Sequence, residues 1–195
     1  MVSFLEPVFA ILRMESADAA VATAARLAAN GVPQVEVTLN TPDALTAIAS
    51  IREAGGRVGA GTVLTAEQAR QAADAGAEFL VTPAVLPEVI EATRLPVLCG
   101  ALTPTEVLTA WRAGAAAVKI FPASAHGPSY LTALRGPLND IPLVAVGGIA
   151  VEDVPTYLAA GALAVGLGSP LVGTGEGLAE RCAKLQTVRR GGLSG

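Results

Sequence analysis

The chain has 195 residues and a net charge of −4, with 52% hydrophobic and 15% charged residues. That balance excludes a disordered chain and leaves a nucleic-acid partner without an electrostatic footprint. Apolar runs break at glycine, proline or charge short of a membrane span, and no basic-then-apolar leader is read; membrane and export are not expected, and a cytoplasmic setting is.

Short apolar or β-branched runs alternate with longer Ala/Leu-rich stretches, the pattern of a parallel sheet with helical crossovers. The first strand is expected over 8–12 and ends in Arg13. Ser16 caps a helix over 17–29. The second strand, 34–38, carries Glu36 and runs on to Asn40, before a helix over 42–53. The third, 57–59, leads into Gly61-Thr62, and Thr65 with Gln68 forms a capping box for a helix over 66–75. The fourth, 79–82, meets Pro83, with a helix over 87–93. The fifth, 97–99, ends in Gly100, with a helix over 104–113. The sixth, 116–120, holds Lys119 and is followed by Phe121, Pro122, a loop with the rim residue His126, and a helix over 129–134. The seventh, 143–146, ends in Gly147-Gly148, before a helix over 151–160. The eighth, 164–167, ends in Gly168-Ser169, and a last helix is expected over 176–188.

Gly31, Gly76, Gly114 and Gly161 each end a helix and lead straight into a strand. Each interval between them holds two β/α units. Eight units in this length predict a single compact (β/α)8 barrel over 1–190, with a short tail over 191–195. The alternative is an open doubly wound sheet, which the lack of a Gly-rich dinucleotide loop disfavours.

The repeat sets a register. Glu36 and Lys119 stand equally far after their helix-stop glycines, as do Val81 and Gly166. Equivalent strands then point all four into the barrel in one layer, with Gly166 leaving space. An acid and an amine in one apolar cavity make either a buried ion pair or a catalytic pair. A desolvated lysine loses its proton more easily and becomes a nucleophile able to form a Schiff base with a ketone; a lysine at a strand end can instead snorkel to water. Glu36 is then the proton relay.

The carboxyl ends of barrel strands carry the site. Gly147-Gly148 and Gly168-Ser169 follow the last two strands, the usual place for a phosphate held by main-chain amides and a helix start. Tight turns are the plainer account of those glycines. Arg13 suits an acidic substrate, or else is structural. Cys99 and Cys182 lie far apart, and with one histidine no metal cluster or other cofactor is expected.

The motifs Ala10-Ile11-Leu12-Arg13, Val35-Glu36-Val37-Thr38-Leu39-Asn40, Gly59-Ala60-Gly61-Thr62, Val81-Thr82-Pro83, Lys119-Ile120-Phe121-Pro122 and Gly147-Gly148-Ile149 occur in one order. In this the chain resembles the class I 2-keto-3-deoxy-6-phosphogluconate / 2-keto-4-hydroxyglutarate aldolase family over nearly its whole length. The resemblance implies a Schiff-base lysine at Lys119, an acid/base glutamate at Glu36, and pyruvate contacts around Thr62, with Asn40, Pro83 and Phe121 among the substrate-binding residues. It gives Arg13, Gly147, Gly148, Gly168 and Ser169 the distal end of the substrate. It also implies a homotrimer, and a phosphorylated 2-keto-3-deoxy sugar acid and pyruvate as small-molecule partners. Gluconate-type members commonly carry arginine at the position of Asn40. Galactonate-type members resemble Leu39-Asn40-Thr41-Pro42 and the stretch 119–130 more closely. The implied reaction is cleavage of 2-dehydro-3-deoxy-6-phosphogalactonate to pyruvate and D-glyceraldehyde 3-phosphate, and Thr38 looks more like the gluconate type. The alternatives are the gluconate epimer or 4-hydroxy-2-oxoglutarate as substrate. More distant ones are a sugar-phosphate isomerase or epimerase and a non-catalytic sugar-phosphate binder.

Overall fold

A computed structural model describes residues 4–173 and 177–191. Eight parallel strands close into a barrel in chain order, each bonded to the next and β8 to β1. The first half comprises β1 (Val8–Leu12), α1 (Ala17–Ala29), β2 (Gln34–Thr38), α2 (Ala44–Glu53), β3 (Arg57–Gly61), α3 (Ala66–Asp74), β4 (Leu80–Val81) and α4 (Pro87–Glu91). The second half comprises β5 (Val97–Ala101), α5 (Pro104–Arg112), β6 (Ala117–Ile120), α6 (Gly127–Arg135), β7 (Leu143–Val146), α7 (Val154–Ala159), β8 (Ala164–Leu167), α8 (Ser169–Val172) and α9 (Leu178–Gly191).

Local chemistry explains the helix ends. Ser16 and Thr65 accept hydrogen bonds from Ala19 N–H and Gln68 N–H. The return bond of the box differs from expectation: Gln68 Oε1 takes the Leu64 N–H at 2.7 Å, one residue earlier. Gly31, Gly76, Gly114 and Gly161 all have φ between 84° and 96°, the left-handed stop that glycine adopts freely. α2 starts at Ala44 because Asp43 has φ 55°, so the expected start at Pro42 is two residues early. β3 and β5 run two residues beyond expectation because neighbours pair with them: Thr38 with Gly61, Ile120 with Ala101. Glu176, the expected start of the last helix, and residues 192–195 of the expected tail lie outside the described residues.

Two apolar layers hold the barrel. Outward residues such as Leu12, Val37 and Ile120 pack under the helices. Inward, Phe9, Phe79, Val81, Leu98, Val144 and Val146 fill the lumen. The expected space at Gly166 is absent. A Cβ there would lie 2.7 Å from the Phe9 ring and 3.0 Å from Val146, so Phe9 occupies that volume.

The amino-terminal end of the barrel is closed by polar groups with partners. The fully buried Gln34 side chain accepts from Glu6 N–H and donates to Phe4 C=O, both at 2.7 Å. Arg57 pairs with Glu6 at 2.7 Å and approaches Glu78 at 3.8 Å; Arg52 reaches Glu78 at 3.0 Å.

Candidate active site

Glu36 on β2 and Lys119 on β6 enter the lumen above that apolar filling, only 1% and 6% exposed. Glu36 Oε2 is buried and has no hydrogen-bond partner. Among the described residues Lys119 makes no ion pair. Burial holds the Glu36 carboxyl above the ordinary carboxylate range, opposed by the charges of Lys119 and Arg13. Burial pushes the Lys119 ammonium below the ordinary lysine range; Glu36 opposes this and Arg13 adds to it. Each group is displaced toward its neutral form, and the charge of each restrains the other. Among the described residues no contact ion pair joins Glu36 and Lys119.

The walls explain why these side chains sit where they do. A Cβ on Gly61 of β3 would overlap the Glu36 carboxyl, so only glycine leaves room for the acid. Lys119 Nζ lies 4.8 Å from the centre of the Phe121 ring, within cation–π range. That ring is 40% exposed and borders the lysine on the solvent side. Thr62, next to Gly61, is half-buried at φ 55°. A non-glycine residue held there costs about 1–3 kcal/mol. Its neighbours hold it: Val63 N–H donates to Val81 C=O at 3.1 Å, and Leu39 N–H to Gly61 C=O at 2.8 Å. Pro83 lies against Gly100, where a Cβ would overlap the Pro83 main chain. Thr82 fixes this corner, donating to Ala84 C=O at 2.7 Å and accepting from Gly100 N–H at 3.1 Å.

The remaining predicted residues form the rim. Arg13 Nε donates to Asn40 Oδ1 at 3.4 Å, joining the ends of β1 and β2. Arg13, Gly168 and Ser169 line one cleft of about 540 Å³ together with Ile11, Met14 and Glu15. α8 is a single turn, so the donors at this end are main-chain amides and the Ser169 hydroxyl. Gly147 and Gly148 have φ 99° and 70°, and the Phe121 ring packs against Gly147. Thr38 is buried and its hydroxyl donates to Leu12 C=O at 3.2 Å, so it ties β2 to β1. His126 is exposed, in the loop after β6, and its ring meets that of Tyr130 at a tilt of 43° with centres 4.8 Å apart.

The predicted residues thus gather at one end of the barrel in two groups: Glu36, Lys119, Phe121, Thr62 and Pro83 around the lumen, and Arg13, Asn40, Gly147, Gly148, Gly168 and Ser169 along the rim. Thr82, which belongs to the motif Val81-Thr82-Pro83, braces this end; so does Tyr157, which the sequence shows only as one apolar position of α7. Among the described residues no cluster of His, Cys, Asp and Glu could hold a metal ion, and no helix is long and apolar enough to cross a membrane.

Comparison with known proteins agrees with this geometry. Residues 4–187 match the family model of KDPG and KHG aldolase. The chain is 40% identical over 185 residues to 2-dehydro-3-deoxy-6-phosphogalactonate aldolase of Escherichia coli (strain K12), covering 91% of this chain and 90% of that one. A solved native KDPGal structure superposes with a TM-score of 0.88 at 38% identity, covering 95% of each chain. KDPG aldolase from Legionella pneumophila, with pyruvate captured at low pH as a covalent carbinolamine, superposes with a TM-score of 0.84 at 28% identity, covering 93% and 94%. The family match makes the protein an aldolase, a carbon–carbon lyase, and its fold is a (β/α)8 barrel. The chain belongs to the KDPG and KHG aldolase family.

Proposed function

We propose that the protein cleaves 2-dehydro-3-deoxy-6-phosphogalactonate to pyruvate and D-glyceraldehyde 3-phosphate through a Schiff base on Lys119. The observation that carries this is the buried amine: out of ion-pair contact, desolvated, and beside a carboxyl with an unpartnered oxygen. The name of the Escherichia coli relative supports the substrate, and the pyruvate carbinolamine captured in the Legionella enzyme supports the covalent chemistry.

Neutral Lys119 Nζ adds to the C2 ketone, and protonated Glu36 gives its proton to the carbinolamine hydroxyl, which leaves as water, giving an iminium ion and the Glu36 carboxylate. Glu36 takes the proton from the C4 hydroxyl. The C3–C4 electron pair moves toward the iminium, which becomes an enamine as the aldehyde departs. C3 then regains a proton, and water releases pyruvate and the free lysine. Thr62 and Pro83 take the pyruvate half. Arg13, Gly147, Gly148, Gly168 and Ser169 hold the distal phosphate, and Asn40 keeps Arg13 in line. Phe121 keeps water from the amine. The family resemblance also supports a homotrimer of single-domain barrels spanning 1–190, acting in the cytoplasm, with 191–195 a tail.

Borohydride reduction in the presence of pyruvate tests the chemistry. Mass spectrometry should place the adduct on Lys119; unmodified protein overturns the mechanism and favours an isomerase that uses Glu36 for proton abstraction and Lys119 only as an electrostatic group. Kinetics with the galactonate and gluconate epimers test the substrate, and a higher kcat/KM for the gluconate epimer overturns that choice. A sugar-phosphate binder would release no pyruvate at all.

A further inference from the structure

We infer that Ser124 is a substrate-binding residue whose hydroxyl donates to the distal phosphate beside Gly148. The inference rests on the aldolase reading above and adds a residue to it.

The turn Ala123–Ala125, which follows β6, is pinned from two sides. Tyr157 Oη donates to Ala123 C=O at 3.3 Å from α7, and Ser124 N–H donates to Gly147 C=O at 3.1 Å. Its main chain is therefore tied to the first glycine of the pair that ends β7. The side chain is placed as closely. A Cβ on Gly148 would overlap Ser124 Oγ and lie 2.8 Å from Ser124 Cβ. So the hydroxyl stands directly over Gly148. Its residue is exposed, and the hydroxyl makes no hydrogen bond to another described residue.

The strand order gives that hydroxyl its meaning. Around the rim run the Ser124 turn after β6, Gly147-Gly148 after β7, Gly168-Ser169 after β8, and Arg13 after β1. Ser124 closes the lysine-side end of this arc, and Arg13 the other. The Phe121 ring neighbours both Lys119 Nζ, 4.8 Å from its centre, and Gly147, the residue to which the Ser124 main chain is tied. A phosphate held over the paired glycines has several acceptor lone pairs to fill, and a fixed hydroxyl fills one. Tyr157 is the positioning residue that holds the turn.

The test compares Ser124→Ala with wild type on the phosphorylated substrate and on its dephosphorylated analogue. It also follows exchange of pyruvate methyl protons in D2O by NMR. KM for the phosphorylated substrate should rise about three- to tenfold, the range of one net hydrogen bond. kcat, turnover of the analogue and pyruvate exchange should hold. Tyr157→Phe should raise the same KM by a smaller factor, again sparing the analogue. An unchanged KM in Ser124→Ala, or equal losses on both substrates, overturns the assignment while the aldolase reading stands. A wild-type protein that neither exchanges pyruvate protons nor releases pyruvate overturns the aldolase reading, and the role of Ser124 with it.

Discussion

The two ends of this barrel treat buried polar groups in opposite ways. At the amino-terminal end Gln34 is fully buried with both side-chain atoms bonded, and Arg57 lies between Glu6 and Glu78. At the carboxyl-terminal end Glu36 is just as buried with Oε2 unpartnered, and Lys119 has no ion pair among the described residues. Glu36 lies on the same strand as Gln34, two residues on, and faces the same lumen. A satisfied polar group adds to stability; an unsatisfied one costs it and is kept where its reactivity is used. The contrast separates a closed base from a working face.

Substitutions can break that contrast, and the largest effect is expected at the amine. Lys119→Ala should abolish turnover with the circular dichroism spectrum retained; wild-type activity would remove the lysine from the reaction. Glu36→Gln should lower kcat by about 10²–10⁴, the usual contribution of a positioned acid/base group, with KM changing far less. At the base, Gln34→Leu removes the hydrogen bonds to Glu6 N–H and to Phe4 C=O, which keeps the one from Arg57 Nη2 at 3.1 Å, and should cost about 1–3 kcal/mol in denaturant titration, with kcat unchanged. Arg57→Met, in the half-exposed ion pairs, should cost at most about 1 kcal/mol.

The pH dependence sharpens the same comparison. The Glu36 charge holds the Lys119 ammonium up, and Arg13 pushes it down. Schiff-base formation needs the neutral amine, so its acid limb marks loss of the proton from Lys119. Glu36→Gln should move that limb to lower pH and Arg13→Ala to higher pH, read as the rate of pyruvate trapping by borohydride. Shifts in the same direction for both would remove the electrostatic coupling from the account.

Much of the working face was legible in sequence because it is local. Gly31 and Gly114 set the register that puts Glu36 and Lys119 in one lumen, and a strand's alternation does the rest. Long-range contact stayed hidden. Nothing near Gly166 in the chain says that the Phe9 ring fills the volume beside it, since the two meet only when β8 pairs with β1. The end of β3 at Gly61 likewise depends on Thr38 opposite, and the start of α2 on the backbone of Asp43. Asn40 was expected on the substrate, and its oxygen accepts from Arg13. Ser124 is read in sequence only as part of the stretch 119–130, and its contact with Gly148 forms when the turn after β6 meets the end of β7.

Phe9 has a practical consequence for anyone designing inhibitors. With apolar side chains, the Phe9 ring among them, filling the lumen, a ligand cannot gain affinity by growing further into the barrel. Added bulk must spread sideways, over the paired glycines toward the guanidinium on the opposite lip. Lead optimisation should therefore reward reach along the crest and punish depth.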